Sequence, residues 1–127
     1  MESVGCKVIC KDNNVAVKSL DFAVRIVNLC RTLKRRNSEF VLHDQILRSG
    51  TSIGANVSEA NSAQSKADFI SNISIALKEC NETGYWLELL HRTETLTNPE
   101  YESLISDNRQ LFAILTAILK SAKRNLP

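Results

Sequence analysis

The chain has 127 residues, and its 43% hydrophobic and 24% charged content is typical of a single globular domain. Four glycines and two prolines are too few for a collagen-like or Pro/Gly-rich disordered chain, and they argue against a turn-rich β-sandwich. The net charge of +2 excludes a histone-like tail. No apolar run reaches the roughly 18 residues of a membrane span. The first residues lack the pattern of a secretory signal, so we expect a cytoplasmic protein.

Residues 1–14 have no clear hydrophobic period, and we interpret them as an N-terminal extension ahead of a helical domain over 15–127. Only residues 7–10 are compatible with a strand, and they are too short and isolated to build a sheet. A polar stretch at 11–14 then leads into the first helix.

The first helix is predicted over 15–36 and carries two apolar stripes instead of one. One stripe contains Ala16, Leu20, Ala23, Val24 and Val27, and the other contains Val15, Phe22, Ile26, Leu29 and Leu33. A helix at the edge of a monomeric bundle needs a single apolar stripe. We therefore expect this helix to bury two sides.

The second helix is predicted over 39–61, after a break at Asn37 and Ser38. Gly50 and Gly54 lie one turn apart in it, and each glycine costs about 1 kcal/mol relative to alanine in a helix. The pattern predicts close approach of a neighbouring backbone. Because the segment is too polar for a bilayer, this is not a membrane dimerisation motif.

The third helix is predicted from a Ser65 cap to about residue 96, and the fourth over 99–123 with Asn98 as its cap. The third has a second apolar stripe outside its main face, formed by Ile75, Trp86 and Leu90. Four long helices with short breaks predict an all-α, antiparallel up-down-up-down four-helix bundle.

The positive charge is concentrated on the first helix, where six basic residues face one acidic residue over 15–36, a net of +5. This segment is either a solvated face or a contact surface for nucleic-acid phosphates. Arg48 of the second helix is either a packed, hydrogen-bonded side chain or a further phosphate contact. The candidate nucleic-acid-binding residues are Lys18, Arg25, Lys34, Arg35, Arg36 and Arg48.

No pattern of catalytic or metal-binding residues emerges. The four cysteines and two histidines form no close ligand set, so we expect no metal, disulfide or cofactor. Glu79 and Glu82 lie one turn apart, and glutamates at that spacing on a helix surface are usually solvated or paired with Lys or Arg. His91 is expected to be a hydrogen-bonded residue at the edge of the core. We predict no enzyme activity and no small-molecule substrate.

Two segments carry a family resemblance. QILRSGTSIGANVSEA over 45–60 and ALKECNETGYWLELL over 76–90 resemble the second- and third-helix motifs of a four-helix-bundle family often called 23S rRNA intervening-sequence proteins. The similarity spans about 15–122. Ala60 stands where glycine is commoner, and Gly84 where a larger polar residue is usual.

The resemblance implies a small bacterial bundle, often a homopentamer, without known catalytic residues. The family also resembles the accessory variability determinant proteins of diversity-generating retroelements, which are basic pentamers that bind nucleic acid. We therefore expect a homo-oligomeric scaffold that contacts RNA or DNA backbone; the alternative is a protein–protein adaptor with no nucleic-acid role. The candidate subunit interface is formed by Phe22, Ile26, Leu29, Leu33, Ile75, Trp86 and Leu90.

Overall fold

The computed structural model describes residues 13–36 and 40–124, and every regular element in those two ranges is an α-helix. The helices are α1 (Asn13–Arg35), α2 (Phe40–Asn61), α3 (Lys66–Arg92) and α4 (Asn98–Arg124). The four predicted helices and the bundle are thus confirmed. The break at Asn37 and Ser38, the possible strand at 7–10 and most of the N-terminal extension lie outside the described residues.

The register of contacts shows that sequence neighbours pack antiparallel. Between α1 and α2, Ser19 lies beside Gly54 and the Cys30 thiol lies 3.7 Å from the His43 carbonyl oxygen. Between α3 and α4, Cys80 contacts Asn108 while His91, further along α3, stacks on a residue earlier in α4. The short connections between the helices require this up-down-up-down order.

The two glycines of α2 let the backbones of α1 and α2 approach closely, as the sequence predicts. A Cβ on Gly54 would lie 3.2 Å from the Ser19 carbonyl oxygen, and a Cβ on Gly50 would lie 2.8 Å from Ile26 Cγ1. A larger residue at Gly54 would press on the α1 backbone, and one at Gly50 would have to displace the Ile26 side chain. The cost of glycine in a helix is therefore offset by tighter packing of the two helices.

The core is filled by one of the two apolar stripes of α1. Val15, Phe22, Ile26, Leu29 and Leu33 are all at least 93% buried. The other stripe faces outward, because Leu20 is 64% and Val24 is 52% exposed. Within one chain, α1 buries only one of its two apolar sides.

Three helix ends show how the sequence determines the boundaries. Ser65 caps α3 as predicted, since its hydroxyl accepts a hydrogen bond from the Asp68 backbone N–H at 3.1 Å. The predicted extension of α3 to residue 96 is wrong: Glu94 adopts a left-handed conformation with φ of 60°, and the helix ends at Arg92.

The start of α4 also differs from the prediction. Thr97, not Asn98, caps the helix: its hydroxyl accepts from the Glu100 N–H at 3.3 Å, and the Glu100 carboxylate accepts from the Thr97 N–H at 2.9 Å. This is a reciprocal capping box. Asn98 instead bonds His91 through its side chain, with 2.6 Å between Oδ1 and Nε2.

Candidate assembly and nucleic-acid surfaces

The described residues contain no cluster of three or more His, Cys, Asp or Glu side chains that could hold a metal ion. No helix among them combines the length and apolar character needed to cross a membrane. Burial raises the pKa of the Cys80 thiol to about 12, and burial together with Asp44 raises that of Cys30 to about 11. Both thiols are therefore protonated and serve in packing. Cys6 and Cys10 lie outside the described residues.

The polar residues that resemble catalytic groups have structural partners. The Ser49 hydroxyl donates to the Ile46 carbonyl oxygen and accepts a hydrogen bond from Thr83 at 2.9 Å. His91 bonds Asn98 and stacks on Tyr101, with ring centroids 4.1 Å apart. The prediction of a hydrogen-bonded histidine at the edge of the core is confirmed.

Arg48 of α2 bridges to two carboxylates of α3. It lies 3.1 Å from Glu79 and also forms a short ion pair with Glu82. Glu82 in turn accepts a hydrogen bond from the Trp86 indole N–H at 3.0 Å. The bond from Trp86, followed by the bond and charge of Arg48, lowers the pKa of Glu82. Arg48 is thus hydrogen-bonded across the α2–α3 contact with its side chain half exposed, and two carboxylates balance its charge.

Three of the candidate nucleic-acid residues reach from α1 or the residue after it to α4, while part of each side chain stays exposed. Arg25 pairs with Asp107 at 2.6 Å, and Arg36 pairs with Glu100 at 2.9 Å. Lys18, further toward the start of α1, lies 3.5 Å from the Gln110 side-chain oxygen. We call these three contacts the polar seam. They lie between α1 and α4, which pack against each other less extensively than the helices that follow one another in the chain. Arg25 and Arg36 thus each already have a carboxylate partner within the chain.

The Arg36–Glu100 pair predicts a pH dependence of stability. The hydrogen bond from Arg36, followed by that from the Thr97 backbone N–H, lowers the pKa of Glu100 from 4.5 to about 2. Because the folded-state pKa lies below the unfolded one, the ionised carboxylate stabilises the fold above pH 4.5. That contribution disappears as the pH falls toward 2.

We expect Glu100→Gln to lower the urea midpoint of unfolding at about pH 6, and the difference from the parent chain to shrink toward pH 2. Arg36→Gln should reduce the pH dependence in the parent background, because it removes the main cause of the lowered pKa. A midpoint difference for Glu100→Gln that stays constant over this range would contradict the assignment.

The outward face of α1 changes character along its length. Its first half presents Val17, Leu20 and Val24, each more than half exposed. Its last turns present a basic cluster, defined as Arg31, Lys34 and Arg35, whose members are all exposed. Sequence reasoning identified Lys34 and Arg35 but omitted Arg31, which follows the exposed stripe at helical spacing.

A groove of about 390 Å³ runs beside this apolar stripe, between α1 and α2. Its walls are mostly small side chains, including Ala16, Ala23, Gly54 and Ala55, and Leu20 lies at its edge. We define the stripe and groove together as the outer α1 face. Large projecting side chains thus lie next to a recess of small ones.

The sequence-based interface candidates need correction. Phe22, Ile26, Leu29, Leu33 and Leu90 are core residues of a single chain, each at most 7% exposed, and cannot touch a second subunit. Ile75, which is 41% exposed, and the half-buried Trp86 remain at the surface of α3. The stripe available to a partner is the one that the prediction did not choose.

Comparison with known proteins agrees with the fold. The sequence model of a family described as 23S rRNA-intervening sequence protein matches residues 11–117. A crystal structure of a protein of unknown function, from the S23 ribosomal protein family of Bacteroides thetaiotaomicron VPI-5482, superposes with a TM-score of 0.82. It is 58% identical in sequence, and the match covers 84% of this chain and 98% of that one. No match was found among curated proteins.

Proposed function

Because this chain belongs to the 23S rRNA-intervening sequence protein family, we propose that it is a non-enzymatic, homo-oligomeric helical scaffold that contacts the backbone of RNA or DNA. The outer α1 face is the assembly surface. The basic cluster of Arg31, Lys34 and Arg35 is the nucleic-acid contact. The observation that carries the proposal is the exposure of three large aliphatic residues in one row on α1.

Self-association is favoured because the outer α1 face is complementary in shape to itself. Leu20 and Val24 project beside a recess lined by Gly54 and Ala55, so each copy offers both a ridge and a groove. Monomeric proteins seldom keep contiguous apolar patches of this kind exposed. Burying one aliphatic side chain fully is worth about 1.5–3 kcal/mol, so the three residues supply a substantial driving force.

Nucleic-acid contact follows from the position of the basic cluster on the same face. Arg31, Lys34 and Arg35 continue the line of the apolar stripe toward the end of α1. Assembly through the stripe would bring the clusters of several subunits close together. Repeated weak phosphate contacts then add up through multivalency, with strong salt dependence and little sequence preference.

The test of assembly is solution mass by light scattering at low and high salt. We expect a mass several times that of the 14.2 kDa chain at both salt concentrations. Val24→Asp should reduce the mass to that of one subunit. Val41→Asp is the matched control, because Val41 is 70% exposed on α2 away from the outer α1 face. A parent chain that is already monomeric would exclude the scaffold and favour the adaptor, with the stripe open to a different protein.

The test of nucleic-acid contact uses labelled single-stranded RNA and duplex DNA in fluorescence anisotropy. We expect the triple change Arg31→Gln, Lys34→Gln and Arg35→Gln to weaken binding roughly tenfold at about 50 mM salt, with less effect at about 200 mM. Lys120→Gln, Lys123→Gln and Arg124→Gln form the control, since they remove as many cations from the exposed end of α4. Equal losses from both triples would show only a general charge effect and overturn the assignment.

A further inference from the structure

The groove between α3 and α4 is a separate recess, of about 600 Å³, that neither the polar seam nor the outer α1 face includes. Its floor is formed where Gly84 faces Asn108. Tyr85, which is 60% exposed, and Phe112, which is 40% exposed, line its walls. Arg109 also lines it.

Asn108 presents an unused hydrogen-bond acceptor to this groove. Its side chain is 95% buried, and its Nδ2 donates to the Cys80 carbonyl oxygen at 3.0 Å. That bond fixes the amide with Oδ1 turned toward Gly84, and Oδ1 accepts no hydrogen bond from the part of the chain that the structure describes. Oδ1 is not enclosed but opens into the groove, so a ligand that donates a hydrogen bond can take the place of water at this acceptor.

Gly84 keeps that acceptor accessible. A Cβ at this position would lie 3.0 Å from Asn108 Oδ1, closer than side chains normally approach. An interior glycine destabilises a helix, and α3 has one at the position where Asn108 Oδ1 opens into the groove. Any side chain at residue 84 would cover Oδ1.

The surroundings of Oδ1 define the rest of the ligand. Tyr85 follows Gly84 directly and Phe112 lies one helical turn after Asn108, so two aromatic rings flank the acceptor. Aromatic side chains at such positions stack on planar heteroaromatic rings. Arg109 is exposed and forms no salt bridge with any residue in 13–36 or 40–124, so its guanidinium is available to an anion.

We propose that the α3/α4 groove binds a nucleotide whose base carries an amino group, as adenine does. The base stacks between Tyr85 and Phe112, and its N–H donates to Asn108 Oδ1. The phosphate pairs with Arg109. The site is independent of the proposed scaffold role, because none of its residues belongs to the outer α1 face or the basic cluster.

The experiment titrates the full-length protein with adenosine 5′-monophosphate (AMP), adenosine and inorganic phosphate, using calorimetry and amide NMR spectra. We expect AMP to bind best and to shift the Gly84 backbone and Asn108 side-chain signals. Gly84→Ala should weaken AMP roughly tenfold by covering Oδ1. Unfolding curves check the fold of this variant, since alanine favours the helix.

Further variants separate the parts of the site. Arg109→Gln should weaken AMP but leave adenosine unchanged, and Lys120→Gln on the same helix is the matched control. AMP affinity equal to that of phosphate, unchanged affinity in folded Gly84→Ala, or no AMP binding at millimolar concentration would each overturn the proposal. A short oligoadenylate distinguishes the source: tighter binding than AMP indicates a nucleotide within a strand, and weaker binding indicates a free one.

This proposal also fails separately from the scaffold. Val24→Asp should leave AMP binding intact while it changes the solution mass, and Gly84→Ala should leave the mass intact. A loss of AMP binding in dissociated Val24→Asp would overturn the proposal as stated, because the groove would then depend on assembly.

Discussion

Replacing Phe22 with aspartate is expected to abolish the folded bundle, whereas Leu20→Asp, two residues earlier, should leave it helical. Phe22 is 1% exposed and belongs to the buried stripe of α1. Truncating a buried phenylalanine costs about 3–5 kcal/mol. Burying an unpaired carboxylate there costs more than the truncation alone. The total is comparable with the free energy of unfolding of an ordinary domain, about 5–15 kcal/mol.

Leu20 is 64% exposed, so aspartate at that position remains in water. Its expected effect is on assembly alone, as for Val24→Asp. Far-UV circular dichroism and amide NMR spectra distinguish the two outcomes directly. A cooperatively folded Phe22→Asp protein would mean that α1 is rotated about its axis relative to the structure described above.

The sequence predicted which segments are helical but could not determine which side of α1 faces the core. Both stripes consist of apolar residues at helical spacing, so the hydrophobic period does not distinguish them. The choice depends on α2, because Gly50 and Gly54 receive Ile26 and the Ser19 backbone. That pairing joins residues far apart in the chain, and no local pattern contains it.

The ion-pair partners of Arg25 and Arg36 could not be predicted from the sequence for the same reason. The sequence places Arg25 and Arg36 on one face of α1, but their carboxylates, Asp107 and Glu100, follow 82 and 64 residues later. Only the packing of α4 brings them together. The Thr97 cap could have been predicted, because Thr97 and Glu100 have the spacing of a capping box. The prediction instead gave weight to Asn98 and Pro99.

The α3/α4 groove shows a further limit of sequence reasoning. No motif marks it, and a glycine inside a helix usually indicates close packing, as it does at Gly50 and Gly54. At Gly84 the glycine faces the end of a polar side chain across a groove. The difference depends on what lies opposite, which requires the register of α4 against α3.

Gly54→Val is expected to destabilise the bundle by about 3 kcal/mol, because added atoms would meet backbone that cannot rotate away. The nearest atoms to a Cβ at Gly54 are the carbonyl oxygen and carbon of Ser19, at 3.2 and 3.3 Å. Valine branches at Cβ, so α1 and α2 would have to separate along this contact. Ala113→Val, at an exposed position of α4 outside the α1/α2 groove, is the matched control.

Urea unfolding of both variants measures the difference in free energy. The loss should exceed that of Gly84→Ala, since alanine adds one methyl group beside a side-chain oxygen, whereas valine at position 54 meets the α1 backbone. Equal stability of Gly54→Val and Ala113→Val would show that α1 and α2 are not in backbone contact. The recess that we propose as the seat of a second copy's aliphatic ridge would then also be absent, since it depends on the small residue at position 54.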